Sequence, residues 1–228
     1  MAVLGLLILL LGLLLYGNLV AYRAVRAPVV VAVNLVLAAG LVAGARALGI
    51  SWHALGLDPG GLETGLLWGA AAAGVTILGA ALLALTPLLR GVTDLRAVRM
   101  VPREMAFHYL VRIPFGTALS EEVIFRGVLL ALMGGGPAAI LISSVAFGLW
   151  HIGASLDFLR ANRPRAGRDA KVLAVVSGVA LTTVGGIGFC VLRVIGESLL
   201  APFLAHTVIN IVGLTVTRIG DPRDPSVT

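Results

Sequence analysis

The sequence predicts an all-α fold: a polytopic membrane helix bundle of about seven transmembrane helices, with a short interfacial helix before the fourth. Three observations predict it. Of the 228 residues, 59% are hydrophobic and 12% charged, whereas a soluble domain averages about 45–50% apolar and about 25% charged. With a mean hydropathy of +1.03, a chain of this size cannot hide its apolar surface from water, and lipid is its main solvent. Seven stretches come near the roughly 20 apolar residues that a spanning helix needs. The connections between them carry Arg and Lys in alternation. Residues 1–228 therefore read as a single integral membrane domain.

The first span, Ala2–Val20, lacks a positive leading segment. Its apolar core exceeds the roughly 7–15 residues of a signal peptide, so it reads as an uncleaved anchor. The second is Pro28–Ala47, followed by Trp52 and His53 at the outer interface. Asp58, Pro59, Gly60 and Gly61 make a turn before the third span, Gly65–Leu89. From Pro102 to Ile113, charged Arg103, Glu104, His108 and Arg112 alternate with Met105, Phe107, Tyr109 and Leu110. Such a segment lies in the interface with its apolar side down, among lipid headgroups. Pro114 then starts or kinks the fourth span, Pro114–Met133. Gly134, Gly135, Gly136 and Pro137 reverse the chain into the fifth, Pro137–Leu159. Val172–Leu192 and Ser198–Thr217 complete the set. The sole cysteine, Cys190, excludes an intrachain disulfide and reads as a small buried apolar residue.

The net charge of +6 does not imply a nucleic-acid partner, because the cations lie between spans rather than on a soluble face. Arg23, Arg26, Arg90, Arg96, Arg99, Arg103, Arg160, Arg163, Arg165, Arg168, Lys171, Arg218 and Arg223 fall on one side. The alternate connections hold only Arg46 and Arg193. By the positive-inside rule the N-terminus lies outside and the C-terminus in the cytoplasm, as expected of a multi-pass protein of a bacterial inner membrane.

Ionisable groups inside a span are costly and mark function. Span four carries Ser120, Glu121, Glu122 and Arg126; span five carries Phe147, His151 and, near its end, Asp157; span seven carries His206 and Asn210. Counted from the cytoplasmic ends at about 1.5 Å per residue, Glu121 lies about 10 Å deep, His151 about 14 Å, His206 about 18 Å and Asn210 about 12 Å. Three helices thus bring polar groups to one layer. His206 and Asn210, four apart, share one side of their helix. Glu122 and Arg126, also four apart with the acid first, suit a buried ion pair. Ser120 is read as a hydroxyl bonded back to the preceding turn rather than as a nucleophile.

A carboxylate beside an imidazole can take a proton from water, and the hydroxide can attack a peptide carbonyl. Glu121 and His151 would form that pair. His206 and Asn210 would donate to the resulting oxyanion. No cofactor is needed. An alternative uses Glu121, His151 and His206 as ligands of a catalytic Zn2+. Two further readings stay open: a non-catalytic immunity or scaffolding role for the cluster, and a proton relay in a transporter, which the lack of internal repeats disfavours.

Glu121, Glu122 and Arg126 spell Glu-Glu-x-x-x-Arg; Phe147 and His151 spell Phe-x-x-x-His; His206 and Asn210 spell His-x-x-x-Asn. In this order, each within an apolar span, they resemble the CAAX prenyl protease type II family, also called the CPBP intramembrane protease (Abi) family, over about residues 114–212. The resemblance implies a glutamate-dependent intramembrane endopeptidase whose protein or peptide substrate arrives from the membrane or the cytoplasmic side. Eukaryotic members trim prenylated C-termini; bacterial members are linked to bacteriocin processing, self-immunity and protein binding. The basic segment from Arg160 to Lys171 is longer than the family pattern suggests.

Overall fold

The structure, a computed structural model, describes residues 2–19, 27–86 and 94–219. Val20, the end of the third predicted span, and Arg23, Arg26, Arg90 and Arg223 lie outside the described residues. The described chain is helical, with no strand. Its helices are α1 (Ala2–Leu19), α2 (Ala27–Ala47), α3 (Trp52–Leu55), α4 (Leu62–Ala84) and α5 (Leu95–Val98). There follow α6 (Pro102–Phe107), α7 (Ser120–Glu122), α8 (Leu130–Leu132), α9 (Pro137–Trp150), α10 (Ile152–Asn162), α11 (Arg168–Ile195) and α12 (Leu200–Ile219).

Among the described residues, five helical segments are long and apolar enough to cross a membrane: Ala27–Ala47, Pro59–Ala84, Pro137–Asn162, Arg168–Ile195 and Leu200–Arg218. A shorter apolar helix, Val3–Leu19, precedes them. The remaining predicted span lies in the helical run 102–132, whose many charges set it apart in composition. The chain is thus a multi-pass helical bundle. Its polarity is inverted relative to a soluble domain. Leu4, Ile8, Leu11, Leu173, Val176 and Leu181 are exposed, whereas Glu121, Glu122, Arg126, Ser143, Ser144 and His206 are buried. Only an apolar solvent rewards that arrangement.

Two local features differ from the expectation. Pro102 to Leu132 is one uninterrupted helix that runs through Pro114, where the sequence suggested a start or a kink. The joints at His108–Leu119 and Val123–Leu129 are wide π-helical turns. The i→i+5 pattern of such turns absorbs the missing N–H and the ring of Pro114, which an α-helix accommodates badly. The fifth predicted span is broken at His151, whose backbone at φ −92, ψ 6 separates α9 from α10. That conformation is the sparsely populated bridge region. The Gly134–Pro137 reversal forms as expected, with Gly134 and Gly135 both at positive φ.

α4 lies along α12, and α9 along α11. α2 lies on the π-helical flanks of α7, and α1 crosses α9 and α10. The core is aromatic and aliphatic: Phe125, Phe147, Trp150, Phe189, Ile124 and Leu129. Gly17 lets α1 approach it. A Cβ there would stand 2.4 Å from the Trp150 ring, closer than any side chain tolerates.

Candidate active site

α7 sits in the middle of the bundle and carries both carboxylates. Successive helical residues point about 100° apart, so Glu121 and Glu122 face different neighbours.

Glu122 is fully buried. Its Oε1 accepts from Arg126 Nη1 at 3.2 Å and from His206 Nδ1 at 2.7 Å. Arg126, also buried, donates through Nη2 to the Gly186 carbonyl at 3.1 Å. Its guanidinium lies 4.1 Å from the Phe147 ring centre and 5.2 Å from that of Phe189. A buried cation needs this much compensation. The expected Glu122–Arg126 pair is therefore formed, and it also holds His206, a link the spacing did not reveal. Phe189 stacks on the His206 ring at 4.7 Å and 19°.

Glu121 turns inward rather than toward lipid. Its Oε1 accepts the Trp150 indole N–H at 3.1 Å. Its Oε2 lies 3.9 Å from His151 Nε2 and 3.8 Å from His206 Nε2, and is buried without a hydrogen-bond partner among the described residues. His151 Nδ1 lies 2.7 Å from the Phe147 carbonyl oxygen, which can only accept, so the proton sits on Nδ1. In His206, Nδ1–H donates to Glu122. A neutral imidazole with its proton on Nδ1 has a bare Nε2. Both rings thus turn an acceptor nitrogen toward the same carboxylate oxygen. While both rings are neutral, a group between them meets acceptors on three sides.

The break at His151 is secured from outside. Asn18 on α1 donates Nδ2–H to the Leu149 carbonyl at 3.0 Å and accepts the Gly153 N–H at 2.7 Å. It serves backbone groups that the interrupted helix leaves free. His151 is the site's accessible member, its side chain 17% exposed against 4% for Glu121.

Sequence reasoning named Glu121, Glu122, Arg126, Phe147, His151 and His206, and the structure gathers them. Phe147 stands edge-on to His151 at 4.5 Å and to His206 at 5.9 Å. Asn210, also named, is half-buried one turn beyond His206 and hydrogen-bonds to no described residue. Ser120 donates to the Phe115 carbonyl at 2.8 Å, the structural role expected of it. Asp157 pairs with Arg160 at 2.8 Å, away from the cluster. Trp150, Asn18 and Phe189 were missed. Trp150 carried a signal, since an indole deep in an apolar span needs an acceptor for its N–H. Among the described residues, no three His, Cys, Asp or Glu side chains are arranged to hold a metal ion. The distances from Glu121 to the two imidazoles exceed the roughly 3.4 Å between neighbouring ligands of a tetrahedral zinc with bonds of about 2.1 Å.

The cluster is a buried carboxylate flanked by two imidazoles inside a multi-pass helical bundle. Residues 103–212 match a protein-family model described as type II CAAX prenyl endopeptidase, Rce1-like. That match, over slightly less than half of the chain, supports the family resemblance that the three motifs carry. No curated protein matches the chain. No solved structure matches it.

Proposed function

We propose that the protein is an intramembrane endopeptidase that hydrolyses a peptide bond with a water activated by Glu121 and His151. The observation that carries the reading is the convergence of His151 Nε2 and His206 Nε2 on Glu121 Oε2 at 3.9 and 3.8 Å. A water between these three atoms donates one hydrogen to Glu121, and its oxygen attacks the substrate carbonyl as the proton leaves. Trp150 holds the other carboxylate oxygen, so Oε2 keeps its direction. The oxyanion takes donors from His206 and Asn210. Because Nδ1 of His206 is committed to Glu122, Nε2 donates only when the ring has first taken a second proton from solvent, a charge that Glu122 behind it compensates. The proton on Glu121 passes to the departing amine as the tetrahedral intermediate collapses.

The family's name supplies the substrate class proposed for this chain: the C-terminal region of a membrane-associated protein. The positive-inside pattern supports a site in the cytoplasmic half of a cell membrane. The deciding experiment compares membrane peptides from cells carrying the wild-type protein or Glu121→Gln. Products present with the former and missing with the latter, at equal membrane levels of the two proteins, are expected. Identical peptide profiles reject the hydrolase.

A further inference from the structure

A cavity of about 370 Å³ lies apart from the candidate active site, at the end of α11. Its volume falls within the range of ligand sites. Arg193, Val194 and Glu197 line it, together with His53, Gly134 and Gly135. Beside the two glycines the space is open, since a Cβ on either would meet no atom within 4 Å. Along α11 the cavity stands about 37 Å from Arg168 and the basic segment, so it belongs to the opposite side of the bundle.

Arg193 is buried, 8% exposed. Its Nη2 donates to the carbonyls of His53 at 2.8 Å and Ala54 at 3.0 Å. Its Nε lies against the backbone of Gly56 and has no hydrogen-bond partner among the described residues. That leaves Nη1 for the cavity. The other buried arginine, Arg126, has Glu122 as its counter-ion. Arg193 forms no ion pair among the described residues. Two carbonyls orient a guanidinium without neutralising it, and a buried cation calls for an anion.

Glu197 borders the same cavity with the opposite charge. Among the described residues it is the one non-glycine at positive φ, at 51°. It occupies the position just past a helix end where glycine is usual. Backbone held in that region points to a side chain needed at the place. Glu197 is exposed and enters no ion pair among the described residues. The cavity thus has a cation at its floor and a carboxylate at its rim. From it, Val194, Val191, Ile187 and Val184 run back along α11 as an exposed apolar stripe, at the spacing of one helix face.

We propose that this cavity binds the headgroup of a phospholipid with a primary amine, its phosphate on Arg193, its ammonium on Glu197 and an acyl chain along the stripe. The order of charges selects this occupant. Phosphatidylglycerol would bring Glu197 no cation, and the quaternary ammonium of phosphatidylcholine has no N–H to donate. The stripe favours a lipid over a free zwitterion, which would leave it unused. The site is independent of the endopeptidase reading.

The test measures lipid retention. The purified protein in detergent is mixed with equal amounts of phosphatidylethanolamine, phosphatidylcholine and phosphatidylglycerol of matched chains, and the retained lipid is read by native mass spectrometry. Phosphatidylethanolamine is expected to exceed each of the others about ten-fold, the worth of one hydrogen bond between charged groups. Glu197→Gln should remove that preference. Glu197→Gly should do the same in a protein that keeps its fold, because glycine suits the positive φ. Arg193→Gln should abolish retention of phosphatidylethanolamine. Glu63 is an exposed acid in the first turn of α4, two residues from Gly61, which packs on the Glu197 backbone. Glu63→Gln should leave the preference intact. No preference in the wild type, or equal effects of Glu197→Gln and Glu63→Gln, overturns the proposal. So does retention of soluble phosphoethanolamine to the same extent as the lipid, which marks a site for a free zwitterion.

Discussion

The Trp150 indole N–H donates to Glu121 Oε1 at 3.1 Å, and this bond fixes which carboxylate oxygen faces the two histidines. Trp150 is buried, clasped by Phe125 at 5.5 Å and Tyr16 at 5.9 Å. Replacing it with Phe keeps most of that contact and removes the donor. The uncompensated oxygen is expected to cost about 1–3 kcal/mol, read as a lower unfolding temperature in detergent. Cleavage is expected to fall about ten-fold or more, because Glu121 is then free to rotate. Unchanged cleavage would show that Trp150 only packs.

The two adjacent glutamates are expected to respond very differently to amidation. Glu122→Gln leaves Arg126 as a buried cation without its partner and is expected to cost about 3–5 kcal/mol. Glu121→Gln strips no cation of its ion pair and is expected to cost much less while abolishing cleavage. Equilibrium unfolding of both variants in the same detergent checks the order. Equal destabilisation would contradict the division of labour drawn from the geometry.

Asn18 lies far from the motifs in sequence yet supports the backbone on both sides of His151. Asn18→Leu is expected to cost about 1–3 kcal/mol through unsatisfied Leu149 and Gly153 groups. Hydrogen exchange should speed up at the start of α10 specifically. A change spread evenly over the protein would place the role of Asn18 elsewhere.

Exhaustive dialysis against a strong chelator is expected to leave cleavage intact, with no zinc found by elemental analysis of active protein. Loss of activity that returns on adding Zn2+ would revive the metal reading of Glu121, His151 and His206.

The bundle was legible because apolar length and charge alternation report directly on the solvent around a helix. The site was legible in its members, since Glu121, His151 and His206 sit at matching depth. Their partnerships were not. The spacing of Glu122 and Arg126 describes a closed pair within one helix, but a carboxylate oxygen has two lone pairs, and the second is taken by His206 across the bundle. Helix rotation decides such contacts, and no local pattern encodes it. Pro114 misled for a related reason. Its penalty applies to α-helical hydrogen bonding, and the chain evades it by widening its turns. The break at His151 falls inside an apolar run, where Gly148 and Gly153 flank it without marking the residue that opens.

The unbroken shaft from 102 to 132 gears the two carboxylates to everything upstream of them. Deleting one residue between 108 and 119 would swing Glu121 and Glu122 together by roughly 80–100°, taking one away from His151 and the other from His206. A deletion in the 134–136 reversal would leave their azimuth untouched. The protein therefore tolerates length changes where its helices end, and forbids them along the one helix that carries its acids.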